Sequence, residues 1–469
     1  MKEIEFMQRD HRTAPRPGAA SSRREGAPRV VDVDPEWAWA PFSPGGANRW
    51  DAAAAAHLLR RASFGFTATE RQRAVAEGPQ ATVARLLQPV PEAADFDGQF
   101  DAWEEHGAGS AAELAAWWLR RMLESPRPLV ERMTLFWREC FPARTDRVGE
   151  AGLVVRQVQQ LRRDALGRFD VLLRNQLHQP AVLLAWGGGQ NRRSQPNHQL
   201  ARALLHGFTV GPGVAGDRDV TETARALTGW FVRRGKLQFV EREQDPAPKC
   251  VLEQDGVHNL DDLLAGLAHH EATSRHVARR LWRTFISEVA EPSPTLLQAL
   301  ADFLAADRDL AATVGRVLSS NLFHAPESRL ARAKSPVELA VGLARGLEGV
   351  VPTEPLAGAL RELGQDLANP PSLDGWPRGT DWINGATLAL RCRLTASLLG
   401  ANDRYKRRLD PAAVARRHWA VEDGPARRFI AGLLFPDLET AARPEWRDFA
   451  GDLRDWAIHL TARPEYQLL

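Results

Sequence analysis

The segment that decides the fold runs from Gln195 to Trp230 and reads QPNHQLARALLHGFTVGPGVAGDRDVTETARALTGW. From Leu200 to Phe208 its apolar residues recur at the helical repeat, so one face of this helix is expected to pack inward. The turn Gly211-Pro212-Gly213 ends the helix, because glycine accepts positive φ and proline cannot continue a helix. Asp219 followed by Glu222 indicates a capping box at the start of a second helix. The segment therefore predicts two amphipathic helices joined by a tight turn.

A polar stripe lies on the opposite face of the first predicted helix. His198, Arg202 and His206 are four residues apart, which places their side chains one above another. The two histidines are separated by about 12 Å along a helix axis. They cannot share one metal ion, whose bonds are about 2 Å long. The stripe is interpreted either as a solvated polar face or as an inward-facing site where His198 or Arg202 meets a ligand.

Several motifs, the two helices among them, resemble those of the bacterial domain-of-unknown-function family numbered 1800. The matching stretches are Asn197, Ala201-Arg202, Leu204-Leu205, Thr209, Gly211, Ala224 to Trp230, His57 to Gly65, Glu131 to Trp137, Lys334 to Glu338, Gly375 to Pro377 and Trp382 to Asn384. The resemblance covers about residues 50 to 400. It implies membership of a family and no particular reaction.

The same resemblance indicates where this chain departs from the family pattern. The pattern tends to place His, Asp or Glu where this chain has Arg138, Cys140, Gly187, His198, Ala203, His206 and Gln244. Imidazoles and carboxylates are the groups that bind metals and move protons near neutral pH. The apolar and turn motifs are retained. The resemblance therefore implies a degenerate, non-catalytic or weakly active member, and we expect neither a bound metal nor a cofactor.

Composition favours a soluble globular protein and argues against several classes of function. Hydrophobic residues make up 44% of the 469 positions and charged residues 26%. The formal net charge of +2 gives no global field for nucleic acid. Cys140, Cys250 and Cys392 are too few and too far apart for a disulfide framework. No apolar run is long enough to span a bilayer, and the N-terminus lacks a signal-peptide core, which predicts a cytoplasmic location although many relatives look exported.

The predicted fold is mainly α, a large helical domain with one small β-hairpin insert. Residues 1–46 are rich in Pro, Gly, Ser and Arg and are expected to form a disordered tail, with Trp37, Trp39 and Phe42 able to anchor its end. Residues 47–469 form a single domain, within which lobes 47–230 and 257–469 would hinge at a β insert, 231–256. In that insert, alternation around Gly235 predicts the hairpin.

Ten residues are candidates for ligand binding: Arg61, Asn191, Asn197, His198, Arg202, Asp245, Lys249, Lys334, Trp376 and Trp382. Ser335 and Glu338 beside Lys334 form a predicted capping box, which leaves the lysine itself unexplained. Asp245 and Lys249 would form a salt bridge or face a cleft. Tryptophans stack on sugar rings when exposed and fill cores when buried.

Two classes of function stay open. The first is a member that binds a partner protein or an envelope polysaccharide, the partner being a catalytic relative or another co-encoded protein. The second is a hydrolase-like enzyme that acts on an envelope or carbohydrate substrate with the residues that remain. Turnover of an ester, phosphate or glycan by pure protein would favour the second class.

Overall fold

A computed structural model describes residues 29–46, 48–105, 109–372, 375–400, 405, 409–435 and 449–469. Over these residues the chain forms 24 α-helices and six short strands, so the predicted mainly α class is confirmed.

The helices before the β insert are α1 (Pro35–Trp39), α2 (Ala52–Ala62), α3 (Ala68–Glu77), α4 (Pro79–Leu87), α5 (Glu92–Glu105), α6 (Ala111–Glu124), α7 (Pro128–Cys140), α8 (Thr145–Val148), α9 (Ala151–Asp164), α10 (Phe169–Leu177), α11 (Pro180–Ala185), α12 (His198–Arg202) and α13 (Asp217–Ala226). The helices after it are α14 (Leu260–His269), α15 (Glu271–Phe285), α16 (Pro294–Asp307), α17 (Leu310–Ser319), α18 (Asn321–His324), α19 (Pro336–Gly346), α20 (Thr353–Glu362), α21 (Gly385–Leu399), α22 (Pro411–Arg417), α23 (Asp423–Leu434) and α24 (Leu453–Thr461). The strands are β1 (Arg29–Val31), β2 (Trp230–Arg233), β3 (Lys236–Phe239), β4 (Lys249–Val251), β5 (Gln254–Val257) and β6 (Ala290–Pro292). A π-helix, Ala203–Phe208, follows α12, and 3-10 turns occur at Glu241–Glu243, Pro326–Ser328, Gly379–Trp382 and Pro464–Gln467.

The N-terminal part of the described chain packs against the helical core. Strand β1 pairs in parallel with β6, so that Val30 lies opposite Glu291. Trp39 is buried, and its indole N–H donates to the carbonyl of Leu296 at 3.0 Å. Phe42 is buried as well. Residues 1–28 of the expected tail lie outside the described residues, whereas 29–46 form part of the fold because these aromatic side chains bury apolar surface.

One continuous hydrophobic core runs through the described helices. Its most deeply buried tryptophans come from distant parts of the chain: Trp39, Trp118, Trp137, Trp282 and Trp456. The core draws side chains from both stretches that the sequence divides into lobes, from Ala55 in α2 to Leu460 in α24. Burial of this apolar surface is the main term that stabilises the fold.

The β insert contains two hairpins. Strands β2 and β3 form the predicted one, with Trp230 opposite Phe239. Strands β4 and β5 form a second hairpin that the sequence does not predict. Its turn places Leu252 and Glu253 at positive φ, 50° and 64°. Such turns favour Asn or Gly, so the usual sequence signal is missing.

The deciding segment folds as two helices, but with a different local geometry. After one turn of α-helix, α12 continues as a π-helix in which the hydroxyl of Thr209 donates to the carbonyl of Leu204 at 2.7 Å. The second helix, α13, begins at Asp217, earlier than predicted. Only one half of a capping box forms here: the Asp219 carboxylate accepts from the Gly216 amide at 2.8 Å, and Gly216 has no side chain to accept in return. Asp219 therefore lies inside the first turn and is not the N-cap, because glycine takes the cap position here.

Candidate functional site

A cleft of about 940 Å³ opens between α15, the π-helix and the described loop residues 371–372 and 375–381. Its described lining consists of His206, Val210, Gly211, Pro212, Val214, Ala272, Arg275, His276, Arg279, Arg280, Arg283, Pro371, Ser372, Gly375, Trp376, Pro377, Arg378 and Asp381. The deciding segment contributes one wall, and α15 contributes the facing wall.

The cleft is strongly basic. Helix α15 reads EATSRHVARRLWRTF, and its residues Arg275, Arg279 and Arg283 recur every four positions on one face. Arg280 and Arg378 also line the cleft, against one described acid, Asp381. Clefts lined by charges of one sign focus the electric field and concentrate ligands of the opposite sign. The arrangement is suited to an anionic ligand.

The three arginines on this face of α15 form an arginine stripe, and they are held by partners that do not line the cleft. A single carboxylate, that of Glu291 on β6, pairs with Arg279 at 3.0 Å and with Arg283 at 2.8 Å. The Nε of Arg275 donates to the side chain of Gln298 at 3.0 Å, and its guanidinium pairs with Glu271 at 3.3 Å. The three arginine side chains remain 40–44% exposed. Each guanidinium has five N–H donors, so these contacts leave donors for a second acceptor.

A buried guanidinium forms the floor of the cleft. Arg280 is 7% exposed and donates from Nε to the Nε2 of His276 at 3.1 Å. Burial, with a smaller effect of Arg280, lowers the pKa of His276 to about 4. Burial raises the pKa of the Cys140 thiol, although the neighbouring Arg280 acts in the opposite direction. At neutral pH, His276 is an uncharged acceptor that already takes a hydrogen bond, and Cys140 is a thiol.

The third wall of the cleft, around Arg378, is fixed by contacts to α7 and to the segment after α15. The guanidinium of Arg378 donates to Glu139 at 3.0 Å, and the amide of Gly379 donates to Glu288 at 3.0 Å. Gly375 has a φ of 81°, and a Cβ there would lie 2.9 Å from the Cβ of Glu139. The close approach requires glycine, which explains this residue of the Gly-Trp-Pro motif.

A small cavity of about 30 Å³ lies behind the cleft and shares Arg283, Pro377 and Arg378 with it. Three of the family motifs meet here in an ion network. Glu338 pairs with Arg132 and with Arg332, and Arg332 also pairs with Glu288 at 3.1 Å. Although burial acts to raise it, the guanidiniums of Arg132 and Arg332 hold the pKa of Glu338 well below its usual range. Because every carboxylate here is paired, the network supports the fold beneath the cleft.

Several predicted site residues bond to the backbone of the fold. Arg61 is fully buried and donates to the carbonyl oxygens of Ser328 at 2.7 Å and Leu469 at 3.1 Å. Asn191 bonds to the carbonyl of Leu227 at 2.7 Å. Asn197 caps α12 through the amide of Leu200 at 2.9 Å. These three side chains are not brought to the cleft.

The polar stripe of the first helix divides between two environments. His198 and Arg202 are exposed, and Arg202 makes only a long contact of 3.8 Å to Asp217. His206 turns into the cleft. Its Nδ1 is buried without a hydrogen-bond partner. The sequence suggested His198 and Arg202 as ligand contacts, whereas the π-helix directs the third member of the stripe to the cleft.

The remaining candidates lie in three different places. Asp245 pairs with Arg225 at 2.9 Å, and buried Lys249 donates to the carbonyl of His258 at 3.0 Å. Lys334 is buried over the ring of Tyr466, with its ammonium 3.5 Å from the centroid. The list of candidates is completed by two tryptophans: Trp376 lines the cleft and Trp382 the small cavity, and both are buried.

The atoms on which a metal site would depend are held apart by different partners. Cys140 lies beside Arg280, whereas Asp245 and Glu222 are both paired with Arg225. Among the residues that the structure describes, no three His, Cys, Asp or Glu side chains are grouped to hold a metal ion. In the same part of the chain, no helix is both long and apolar enough to cross a bilayer.

The arginines that make the cleft basic were not among the sequence candidates. A signal was present, because Arg275, Arg279 and Arg283 have the spacing of one helix face. The abundance of arginine throughout the chain obscured it. Arg378 lies near these arginines only because the chain folds back, since it is 95 residues from Arg283 in the sequence.

The fold and the cleft define a large, mainly helical protein with a basic ligand-sized cleft. The chain belongs to the family described as "Protein of unknown function (DUF1800)", whose sequence model matches residues 57–468. The resemblance expected from the motifs is confirmed and extends beyond residue 400. No curated protein and no solved structure matches the chain.

Proposed function

We propose that the protein binds an acidic polysaccharide in the arginine-lined cleft without converting it chemically. The observation that carries this proposal is the convergence of five guanidiniums, from α15 and the loop at Arg378, on one open cleft. Arginine is the side chain best suited to carboxylate, sulfate and phosphate groups, because its donors form a planar fork.

The chemistry of the lining favours binding over hydrolysis. A guanidinium stays protonated and therefore does not act as a general acid or base. His276 is uncharged at neutral pH and accepts from Arg280, so its Nε2 is occupied. At a position where the family pattern has histidine, Arg138 donates to the carbonyl of Ala143 at 2.6 Å and acts as a structural bridge. His206 and Asp381 are the groups through which hydrolysis, the competing function, would have to proceed.

The size and the walls of the cleft favour a carbohydrate. A volume of about 940 Å³ is at the upper end of small-ligand sites, which suits several sugar rings. Pro212, Val214, Pro371 and Pro377 provide exposed apolar surface between the charged groups. Sugar rings present apolar C–H faces together with polar edges, so this mixed lining is complementary to them.

The test measures binding and turnover with the same purified protein. Polygalacturonate, a sulfated glycan and neutral dextran are titrated by calorimetry, and released reducing ends are followed over hours. We expect binding of the acidic glycans, none of dextran and no release of reducing ends. Equal binding of dextran would contradict the proposal. Release of reducing ends that is abolished by His206→Gln or Asp381→Asn would replace it with a hydrolase.

A further inference from the structure

The stripe on α15 gives the anionic groups of a ligand a defined spacing. Arg275, Arg279 and Arg283 are separated by four residues each. Successive guanidiniums therefore start about 6 Å apart along the helix axis, and the three span about 12 Å. All three line the cleft and are partly exposed. A ligand that lies along the helix would meet a positive charge at each turn.

The stripe is held by a layer of polar groups behind it. Glu291 bridges Arg279 and Arg283, and Gln298 accepts from Arg275, yet neither partner lines the cleft. These contacts restrict long arginine side chains before a ligand arrives, which reduces the entropy lost on binding. Glu291 also demonstrates that a carboxylate fits between two neighbouring guanidiniums of the stripe.

We infer that the ligand is a linear polyuronate, a glycan with a carboxylate on every sugar, and that consecutive carboxylates bind along Arg275, Arg279 and Arg283. The inference rests on the proposed function and adds the class of glycan and its direction in the cleft. A chain with acidic groups at every sugar offers one to each turn of α15. A glycan with a single acidic terminus would use only one guanidinium.

The length of the oligosaccharide tests whether the arginine stripe of α15 binds consecutive carboxylates. Oligogalacturonates from the monomer to the hexamer are titrated against the full-length protein at fixed ionic strength. We expect the affinity to rise steeply until three guanidiniums are engaged and then to level off. Each single substitution, Arg275→Gln, Arg279→Gln or Arg283→Gln, should weaken the hexamer about tenfold and leave the monomer much less affected.

Two matched variants control for the loss of a positive charge. Arg73→Gln and Arg120→Gln each remove an exposed helical arginine that pairs with the glutamate four residues later in the same helix. Arg275 resembles them because it pairs with the glutamate four residues earlier, Glu271. Their side chains are 61% exposed and do not line the cleft. Both variants should bind the hexamer as the unmodified protein does. Circular dichroism and the melting temperature of every variant show whether it is folded.

The outcomes separate this inference from the proposed function. If a sulfated glycan binds in an arginine-dependent manner while oligogalacturonates do not, the polyuronate inference fails and the cleft remains a site for acidic glycans. An affinity that does not depend on the length of the oligosaccharide would likewise contradict the inference that consecutive carboxylates bind along α15. If oligoglutamate or a single-stranded oligonucleotide binds as tightly as the hexamer, the cleft recognises charge alone, and both proposals fail.

Discussion

At the scale of single residues, arginine has two distinct uses in this chain. Buried arginines such as Arg61, Arg138 and Arg391 bond to backbone carbonyl oxygens and join segments that are distant in sequence. The half-exposed arginines of α15 face a cleft. The sequence alone did not separate these uses, because burial depends on the packing of several elements. Arg61 was a sequence candidate for ligand binding, but its guanidinium donates to the carbonyl oxygens of Ser328 and Leu469.

Burial of His324 is expected to make the folded protein less stable at acidic pH. His324 is buried against Phe42, and burial lowers its pKa to about 4, below the ordinary value of 6.5. In the unfolded chain His324 therefore becomes protonated near pH 6.5, whereas in the folded protein it stays neutral until the pH approaches 4. Stability is fully present above pH 6.5 and falls by up to about 3 kcal/mol as the pH drops towards 4.

Urea unfolding of the protein and of His324→Gln, at pH 7 and at pH 4.5, measures this contribution. The variant should be less stable at pH 7, because glutamine packs less well against the aromatic rings, but it should lose less stability between the two pH values. An identical loss in both proteins would show that His324 does not carry the effect.

At the scale of elements, local signals in the sequence predicted helix starts well. Ser335 and Glu338 form the capping box of α19 as predicted, since an N-cap is a local hydrogen bond. Asp51 caps α2 and Asn384 caps α21 through the same kind of bond. The π-helix was not predictable, because its geometry follows from the Thr209 hydroxyl and from the close packing of Gly211 against His276. A Cβ on Gly211 would lie 2.7 Å from the imidazole of His276.

The capping box of α19 provides a prediction at this scale. Ser335 Oγ accepts from the amide of Glu338 at 3.3 Å, and the Glu338 carboxylate accepts from the amide of Ser335 at 2.6 Å. Ser335→Ala removes one of these bonds and should lower the free energy of unfolding by about 0.5–2 kcal/mol. Binding of polygalacturonate should not change, because the cap lies behind the cleft.

Denaturant unfolding and calorimetric titration of the Ser335→Ala variant give both quantities. Ser335→Thr, which keeps a hydroxyl at the cap, serves as the control and should retain most of the stability. A variant that keeps its stability but loses the ligand would contradict the structural role of Ser335.

At the scale of the whole molecule, the N-terminal segment 29–46 is part of the fold. Trp39 packs edge-on against Trp282, with ring centroids 6.5 Å apart, and is 2% exposed. Trp37, two residues earlier, is 48% exposed. Composition placed the boundary at residue 46, because a stretch rich in Pro, Gly and Arg does not reveal which aromatic side chains find a partner in α15.

The two tryptophans form a matched pair for measuring this contribution. Trp39→Ala should lower the free energy of unfolding by about 3–5 kcal/mol, because it leaves a cavity next to Trp282. Trp37→Ala should cost less than about 1 kcal/mol. Chemical denaturation of the two variants makes the comparison. Equal effects would show that the segment does not contribute to the core as its burial indicates.

The candidate site was the part of the molecule least accessible from sequence. The deciding segment was identified, and His206 and Trp376 from the sequence motifs do line the cleft. Another wall of the cleft is formed by α15, which carries no family motif, and Arg378 belongs to a loop. Only the packing of α15 against the π-helix and this loop brings the five guanidiniums together.

The central claim is that these guanidiniums form the binding site, and one affinity measurement tests it most directly. Calorimetry compares hexagalacturonate binding to the Arg279→Gln/Arg283→Gln double variant and to the Arg73→Gln/Arg120→Gln double variant, which carries the same change in net charge. The account predicts a loss of about a hundredfold in affinity for the cleft variant. It predicts an unchanged affinity for the control. Equal affinities of the two variants would contradict the account and place the site outside the cleft.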